Sequence, residues 1–130
     1  MLDGSSFMDA SRIEHFRKLL LAELRRHARN VGDEQANAID AADDGAKESA
    51  DLSLRDVISE LALNLGDRES QMVADIDQAL LRIQEGSYGL CVRCNKLIDE
   101  RRLEALPTAR FDSACQAALE NERGSRSPTL

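Results

Sequence analysis

The sequence predicts an all-α protein, built as a long antiparallel helical hairpin of the coiled-coil type with a small cysteine-bearing knuckle and a short C-terminal helix. Apolar residues recur every three or four positions along two stretches before residue 86, which is the period of an amphipathic helix. Both prolines, Pro107 and Pro128, lie outside those stretches. Two cysteines separated by two residues follow the second stretch, a spacing typical of a metal-binding turn.

The composition limits the size of the core and the class of partner. The chain has 130 residues, enough for one domain or for a small lobe with a long extension. Aromatic residues make up 3% and charged residues 32%, which favours helices packed along a narrow apolar seam. The net charge of -7 argues against binding to the nucleic-acid backbone, whose affinity comes mainly from Lys and Arg. A protein partner is therefore expected, without sequence-specific DNA binding.

The first predicted helix runs from about Asp9 to Asn30, after a flexible N-terminus covering residues 1–8. Asp9 or Ser11 can cap it, because Asp and Ser side chains accept hydrogen bonds from the free N–H groups of a first turn. A lone histidine on an apolar stripe is more often packed or hydrogen-bonded than bound to a metal, so His27 is interpreted as a core residue. The stripe comprises Ile13, Phe16, Leu20, Leu24 and His27.

The segment between Asn30 and Leu52 has weaker periodicity and many acidic residues. We interpret it as a fading helix end followed by a connecting loop. The hairpin as a whole is predicted to cover residues 9–86, with an acidic tip near residues 40–53. Composition alone favours a solvated, self-repelling turn at that tip.

The second predicted helix, residues 51–84, is the clearest element of the sequence. At 1.5 Å per residue it would form an arm about 50 Å long, with the first helix as its antiparallel partner. Gly66 lowers helix stability by about 1 kcal/mol relative to alanine, so a soft point is expected there. Gly86 suits a left-handed cap at the helix end. The apolar seam comprises Leu54, Ile58, Leu61, Leu65, Met72, Ile76, Ala79 and Ile83.

The cysteines provide the clearest chemical signal. Cys91 and Cys94 are spaced so that two thiolates can bind one tetrahedral ion, and Cys115 lies where a second pair is expected. Asp112 stands three residues before Cys115, so the candidate zinc ligands are Cys91, Cys94, Asp112 and Cys115. A disulfide framework is disfavoured by three cysteines and no signal peptide, and a thioredoxin-like redox pair by the lack of a βαβ pattern. A metal knuckle, either complete with Asp112 or held by packing alone, is the favoured interpretation.

The run from Gly86 to Cys115 holds a dozen characteristic residues in one register: Gly86, Tyr88, Gly89, Cys91, Cys94, Ile98, Arg102, Leu103, Ala105, Pro107, Ala109 and Cys115. This run resembles the zinc-finger signature of the DksA/TraR family of bacterial transcription regulators. Asp112 stands where the family commonly has its third cysteine, which bears on metal occupancy more than on family membership. The resemblance implies zinc as cofactor and bacterial RNA polymerase as partner.

The resemblance also implies a site at the far end of the hairpin. In the family, the coiled coil enters the secondary channel of RNA polymerase, and a D-x-x-D-x-A motif at its tip approaches the catalytic magnesium. Counting back from the signature places Glu48, Asp51 and Ser53 at the motif positions. Arg101 and Arg102 are candidates for contacts with polymerase or nucleotide, and Arg102 is equally a candidate for bracing the knuckle. Guanosine tetraphosphate is a further candidate ligand, because family members can respond to it.

Residues 87–123 are predicted to hold the knuckle and a closing helix from Ser113 to Arg123, followed by a disordered tail at 124–130. No arrangement of catalytic residues is recognisable, so no enzymatic activity is predicted. No apolar run approaches the roughly 18 to 20 residues that span a bilayer, which favours a soluble, cytoplasmic protein. Two alternatives stay open: a helical-hairpin adaptor or self-associating module with a structural metal site and no transcriptional role, and a redox sensor that releases its metal on oxidation.

Overall fold

The computed structural model of the chain describes residues 8–44 and 50–126. Within them the chain forms six α-helices, which confirms the prediction of an all-α protein. The predicted flexible N-terminus and disordered tail lie mostly outside the described residues, although the last helix extends past its expected end at Arg123. The helices are α1 Ala10–Val31, α2 Asp33–Asp44, α3 Ala50–Leu63, α4 Asp67–Glu85, α5 Glu100–Ala105 and α6 Ser113–Arg126.

Helix α1 begins where the sequence places its cap. Asp9 precedes the helix in an extended conformation, and its Oδ1 accepts a hydrogen bond from the N–H of Arg12 at 2.9 Å. Ser11, the other predicted cap, donates its hydroxyl to the same carboxylate at 3.0 Å. The Arg12 N–H, followed by the Ser11 hydroxyl, holds the pKa of Asp9 below its usual value. Asp9 is therefore the cap of α1.

The prediction of a loop after Asn30 is wrong for residues 33–44, which form α2. Four alanines give this segment a high helix propensity, and Asp33 and Glu34 in its first turn interact favourably with the helix dipole. Alanine contributes little apolar surface, so the buried stripe is hard to recognise in the sequence. That stripe consists of Ala36, Ile39 and Ala42.

The prediction of one unbroken helix over residues 51–84 is also wrong, because residues 64–66 separate α3 from α4. The Asn64 side chain donates a hydrogen bond to the carbonyl of Glu60 at 3.0 Å and so satisfies a free carbonyl at the end of α3. Gly66 has an extended backbone, with φ -69° and ψ 170°, and precedes the first turn of α4. The soft point expected at Gly66 is thus a complete break.

The antiparallel pairing of the hairpin is confirmed, since α1 packs against α4 and α2 packs against α3. Between α1 and α4, Glu69 Oε2 lies 3.2 Å from Nδ1 of His27 and accepts a hydrogen bond from Asn30 at 3.0 Å. His27 is buried and hydrogen-bonded at this interface, which agrees with its interpretation as a core residue.

The chain reverses direction between α1 and α2 and again between α3 and α4. As a result, α2 lies back along α1, and α3 lies back along α4. Arg17 of α1 lies 2.6 Å from Asp43 of α2, although 26 residues of unbroken helix would separate them by about 39 Å. Arg55 of α3 lies 3.3 Å from Asp77 of α4 in the same way. The four helices form an up-down-up-down bundle. The predicted straight arm of about 50 Å is therefore wrong for this conformation.

The core of the bundle is built from one narrow stripe on each helix. On α4 the stripe is Val73, Ile76 and Ala79, whereas Met72, which was predicted to face the seam, is 44% exposed. Because α4 starts anew after Gly66, its register does not continue that of α3. In the described ranges no helix combines the length and apolar character needed to cross a membrane. The largest fully buried bundle side chains are Phe16, Leu20, Leu21, Leu24, Ile39, Leu61, Val73 and Ile76.

Two leucines on α3 provide a matched test of this packing. Leu61 is 0% exposed and Leu63 is 86% exposed. We expect Leu61→Ala to lower the free energy of unfolding by about 2–5 kcal/mol, because it leaves a cavity in the core. Leu63→Ala should change it by no more than about 0.5 kcal/mol. Urea denaturation followed by circular dichroism measures both, and equal losses in the two variants would contradict the described bundle.

Candidate metal centre

The knuckle starts at the end of α4 with a left-handed glycine. Gly86 has φ 80°, and its N–H donates to the carbonyls of Arg82 and Ile83, which confirms the predicted cap. Gly89 also has a positive φ of 91°, and a Cβ there would lie 2.9 Å from Cε of Met8. These two positions turn the chain out of the bundle and into the first half of the knuckle.

Tyr88, between those glycines, anchors the knuckle to the bundle. It is 1% exposed, and its hydroxyl donates to the carbonyl of Pro107 at 2.7 Å. Its ring lies 5.8 Å from the ring of Phe16 in α1. Burial raises the pKa of Tyr88 well above its usual value, so the hydroxyl keeps its proton and stays a donor. One side chain thus joins both halves of the knuckle to the first helix.

The first half of the knuckle is a tight turn that places Cys91 and Cys94. The N–H of Cys91 donates to the carbonyl of Lys96 at 2.8 Å, and the N–H of Asn95 donates back to the carbonyl of Cys91 at 2.9 Å. Asn95 takes a positive φ of 63°, a conformation that asparagine tolerates better than most residues. These backbone bonds hold the two sulfurs on one side of the turn.

The second half of the knuckle places Asp112 and Cys115 at the start of α6. Asp112 Oδ1 accepts a hydrogen bond from the N–H of Cys115 at 2.8 Å, which is the geometry of a helix cap. Its Oδ2 accepts a hydrogen bond from Sγ of Cys94 at 3.1 Å. One oxygen of the Asp112 carboxylate therefore caps α6, and the other accepts a hydrogen bond from the Cys94 thiol.

The structure brings together the four residues that the sequence selects. One ligand atom from each of Cys91, Cys94, Asp112 and Cys115 lies within 4.8 Å of all the others. Zinc–sulfur bonds of about 2.3 Å place the sulfurs of a tetrahedral site about 3.8 Å apart, so a small contraction closes this group around one ion. Cys91 is buried and Cys94 is exposed. Three thiols and a carboxylate in this arrangement fit a four-coordinate structural metal site.

The cysteine thiols of the cluster differ in pKa. Burial acts to raise the pKa of Cys91, but backbone N–H groups of Asp112, Cys94 and Arg93 outweigh it and lower the pKa to about 7. At Cys115, burial and the adjacent Asp112 carboxylate raise the pKa to about 12. Cys91 is therefore the thiol that ionises most readily. A bound cation favours the thiolate at each position, so metal binding releases protons.

Of the other residues selected from the sequence, only Arg101 and Arg102 have side chains within the described part of the chain. Glu48 lies outside the described residues, and Asp51 and Ser53 belong to α3 but their side chains are outside the described part, so the acidic tip stays a prediction. Arg102 is half-buried, and its Nε donates to the carbonyl of Phe111 at 3.0 Å. This contact braces the knuckle. Arg101, by contrast, is exposed on α5.

Ion pairs between distant residues attach the knuckle to α1, and no sequence pattern indicates them. Arg12 lies 2.9 Å from Glu100 and 3.0 Å from Glu104, and His15 lies 2.8 Å from the same Glu104. On the other side, Arg93 and Glu122 at 2.9 Å join the cysteine turn to α6. No periodicity could reveal pairs separated by 88 or more residues, as those to α5 are.

These features define a class of protein: a small helical bundle closed by a C-terminal knuckle with converging metal donors. The family profile described as "Prokaryotic dksA/traR C4-type zinc finger" matches residues 86–121. The chain is 32% identical over 121 residues to the RNA polymerase-binding transcription factor DksA of Caulobacter vibrioides (strain NA1000 / CB15N), covering 91% of this chain and 82% of that protein. The chain belongs to the DksA/TraR family.

Further relatives extend the similarity along the chain. The Escherichia coli (strain K12) protein of the same name is 32% identical over 124 residues, covering 90% of this chain and 77% of that protein. The solved structure of transcription factor DksA2 from Pseudomonas aeruginosa superposes with a TM-score of 0.61 at 25% identity, covering 95% of this chain and 93% of that one. The similarity thus includes the helices α1 to α4, called the stem from here on, as well as the knuckle.

The Tyr88 anchor gives a prediction about knuckle stability. Tyr88→Phe removes the hydroxyl and leaves the buried carbonyl of Pro107 without its donor, so we expect the free energy of unfolding to fall by about 1–3 kcal/mol. Tyr88→Leu also removes the ring that packs on Phe16 and should lower it further. Urea denaturation measures the series. If Tyr88→Phe is as stable as the parent protein, the hydroxyl does not hold the knuckle.

Proposed function

We propose that this chain is a transcription regulator that binds bacterial RNA polymerase. The observation that carries the proposal is its 32% identity, over about nine-tenths of its length, to proteins named RNA polymerase-binding transcription factor. The net charge of -7 is consistent with a protein partner and unfavourable for direct binding to DNA. The proposed role is regulatory and not enzymatic, and it is exercised in the cytoplasm, where the polymerase acts.

We propose that the knuckle binds one zinc ion through Cys91, Cys94, Asp112 and Cys115. The ion would cross-link the cysteine turn to the start of α6 and so contribute directly to folding. Its role is structural, since the site has four protein donors and no open coordination position. Tyr88 and the ion pairs of Arg12 then connect this rigid unit to the helical stem.

We propose that the stem enters the secondary channel of the polymerase and that its acidic end acts near the catalytic magnesium. Glu48 and Asp51 keep two carboxylates at the family's acidic motif positions, and carboxylate oxygens are the ligands that magnesium prefers. Ser53 occupies the third motif position. The exposed Arg101 is the better candidate for a polymerase contact, because Arg102 is engaged with the Phe111 carbonyl.

Polymerase binding and the acidic tip can be tested separately. We expect the purified protein to associate with bacterial RNA polymerase and to change transcript yield in vitro. Glu48→Gln with Asp51→Asn should abolish the effect on transcription and leave association intact, because it removes the charges at the tip and not the contacts of the base.

The matched control for the tip is Asp56→Asn with Glu60→Gln, which removes the same charge from exposed positions of α3 and should leave transcription unchanged. Equal losses in both variants would point to overall charge and refute a specific tip. Failure of the parent protein to associate with polymerase would refute the regulator and favour a helical adaptor.

Asp112 gives a prediction about the metal. We expect about one zinc per chain by elemental analysis. Asp112→Ala should lose zinc, and Asp112→Cys should retain it longer against a chelator, because thiolates bind zinc more tightly than a carboxylate does. Asp99→Ala is the control, since Asp99 caps α5 through the N–H of Arg101 and lies outside the cluster. Zinc absent from both the parent and Asp112→Cys would refute the proposed site.

A further inference from the structure

The two breaks in the helical stem occupy matching places in its two arms. Gly32 separates α1 from α2, and residues 64–66 separate α3 from α4. Directly beside both breaks, Glu69 bonds His27 and Asn30 and holds the ends of α1 and α4 together. The two covalent linkers between the α2–α3 pair and the α1–α4 pair are thus short and lie side by side.

Two kinds of contact keep α2 and α3 folded back: apolar packing of α2 on α1 and of α3 on α4, and ion pairs near the surface. Three ion pairs cross from one pair of helices to the other: Arg17 with Asp43 at 2.6 Å, Arg25 with Asp40 at 3.4 Å, and Arg55 with Asp77 at 3.3 Å. Partly exposed pairs of this kind stabilise a fold little and are screened by salt. The packing of α1 against α4 and of α2 against α3 does not depend on these three ion pairs.

Packing across the folded-back interface is also incomplete. A cavity of about 40 Å³ lies between α1, α3 and α4, and its lining includes Arg17, Leu54, Ile58 and Leu80. Space of this size, partly open to solvent, can hold water, so the apolar side chains that line it lack protein neighbours on that side. At the reversal end of the bundle, Val31 is 37% exposed and Leu63 is 86% exposed, beside the two breaks. The folded-back arrangement therefore leaves apolar surface uncovered where the arms turn.

We propose that α2 and α3 rotate as one paired unit about Gly32 and residues 64–66, which converts the bundle into an extended hairpin. The folded-back form would be an autoinhibited state, and the polymerase channel would select the extended one; this use of the movement rests on the proposed function. Adding the 12 residues of α2 to the 22 of α1 gives an arm about 51 Å long. Opening preserves two helix pairings and breaks the other two.

The hinges have room to change conformation. A Cβ at Gly32 or Gly66 would meet no atom within 4 Å, so alanine is tolerated sterically at both. Alanine favours a continuous helix through each linker by about 1 kcal/mol, which is about fivefold per site in the equilibrium between folded-back and extended forms. Gly32→Ala alone should therefore shift the equilibrium toward the extended form about fivefold, and adding Gly66→Ala should shift it further in the same direction.

The movement is tested by small-angle X-ray scattering of the protein alone. The test variant combines Gly32→Ala and Gly66→Ala with Asp43→Arg and Asp77→Arg, which turns two of the bridging ion pairs into repulsions. We expect the maximum dimension to increase by about 18 Å, the length of α2. Adding Arg17→Asp and Arg55→Asp restores opposite charges and should return the compact form. The control Gly124→Ala makes the same exchange within α6, far from the hinges.

Unchanged scattering in the combined variant would overturn the hinge. Extension without tighter binding to RNA polymerase would overturn autoinhibition, because a folded-back majority must lower the apparent affinity of the parent protein. Extension in a protein that fails to bind polymerase in any form would support the hinge and refute the proposed function. The two proposals can therefore fail separately.

Discussion

Each of the helices α1 to α4 has one narrow apolar stripe, and the stem can fold only if all four stripes are covered. The chain has few large apolar residues with which to cover them. With 3% aromatic residues, no single helix pair offers a wide apolar face. The chain resolves this by turning at Gly32 and at residues 64–66, so each helix packs against two neighbours and not one. Burial of apolar surface is the main favourable contribution to folding, and the second neighbour increases it. The two glycines thus mark where the chain can reverse, and packing against a second neighbour favours the reversal.

The knuckle is attached to the stem at the end where α1 begins and α4 ends, and it has no large apolar core of its own. Tyr88 places one ring against α1 and one hydroxyl on the Pro107 carbonyl. Asp112 starts α6 and faces the cysteines with the same carboxylate. Small units of this size commonly need a metal or a disulfide to fold. Three thiols and the Asp112 carboxylate converge in the knuckle, in an arrangement that fits a metal ion.

The sequence was informative wherever a residue type has one strong structural use. The Asp9 cap, the left-handed Gly86 and the grouping of Cys91 with Cys94 and Cys115 all followed from local chemistry. The reversals did not, because the helix penalty of Gly66 is the same whether the chain bends slightly or turns back. What separates those outcomes is the packing of α2 on α1 and of α3 on α4. Residues that meet there, such as Arg17 and Asp43, are 26 positions apart and leave no local pattern. The helix at residues 33–44 was missed because alanine is a strong helix former but a weak apolar marker.

The ion pairs that join Arg12 of α1 to Glu100 and Glu104 of α5 affect the order in which the protein can fold during synthesis. Arg12 leaves the ribosome early, whereas Glu100 follows 88 positions later. Domains form as their segments become available, and contacts between distant segments close late. The amino-terminal helix must therefore wait, without its final partners, until translation has passed the cysteine turn. A nascent chain stalled before that point would present an unfinished stem.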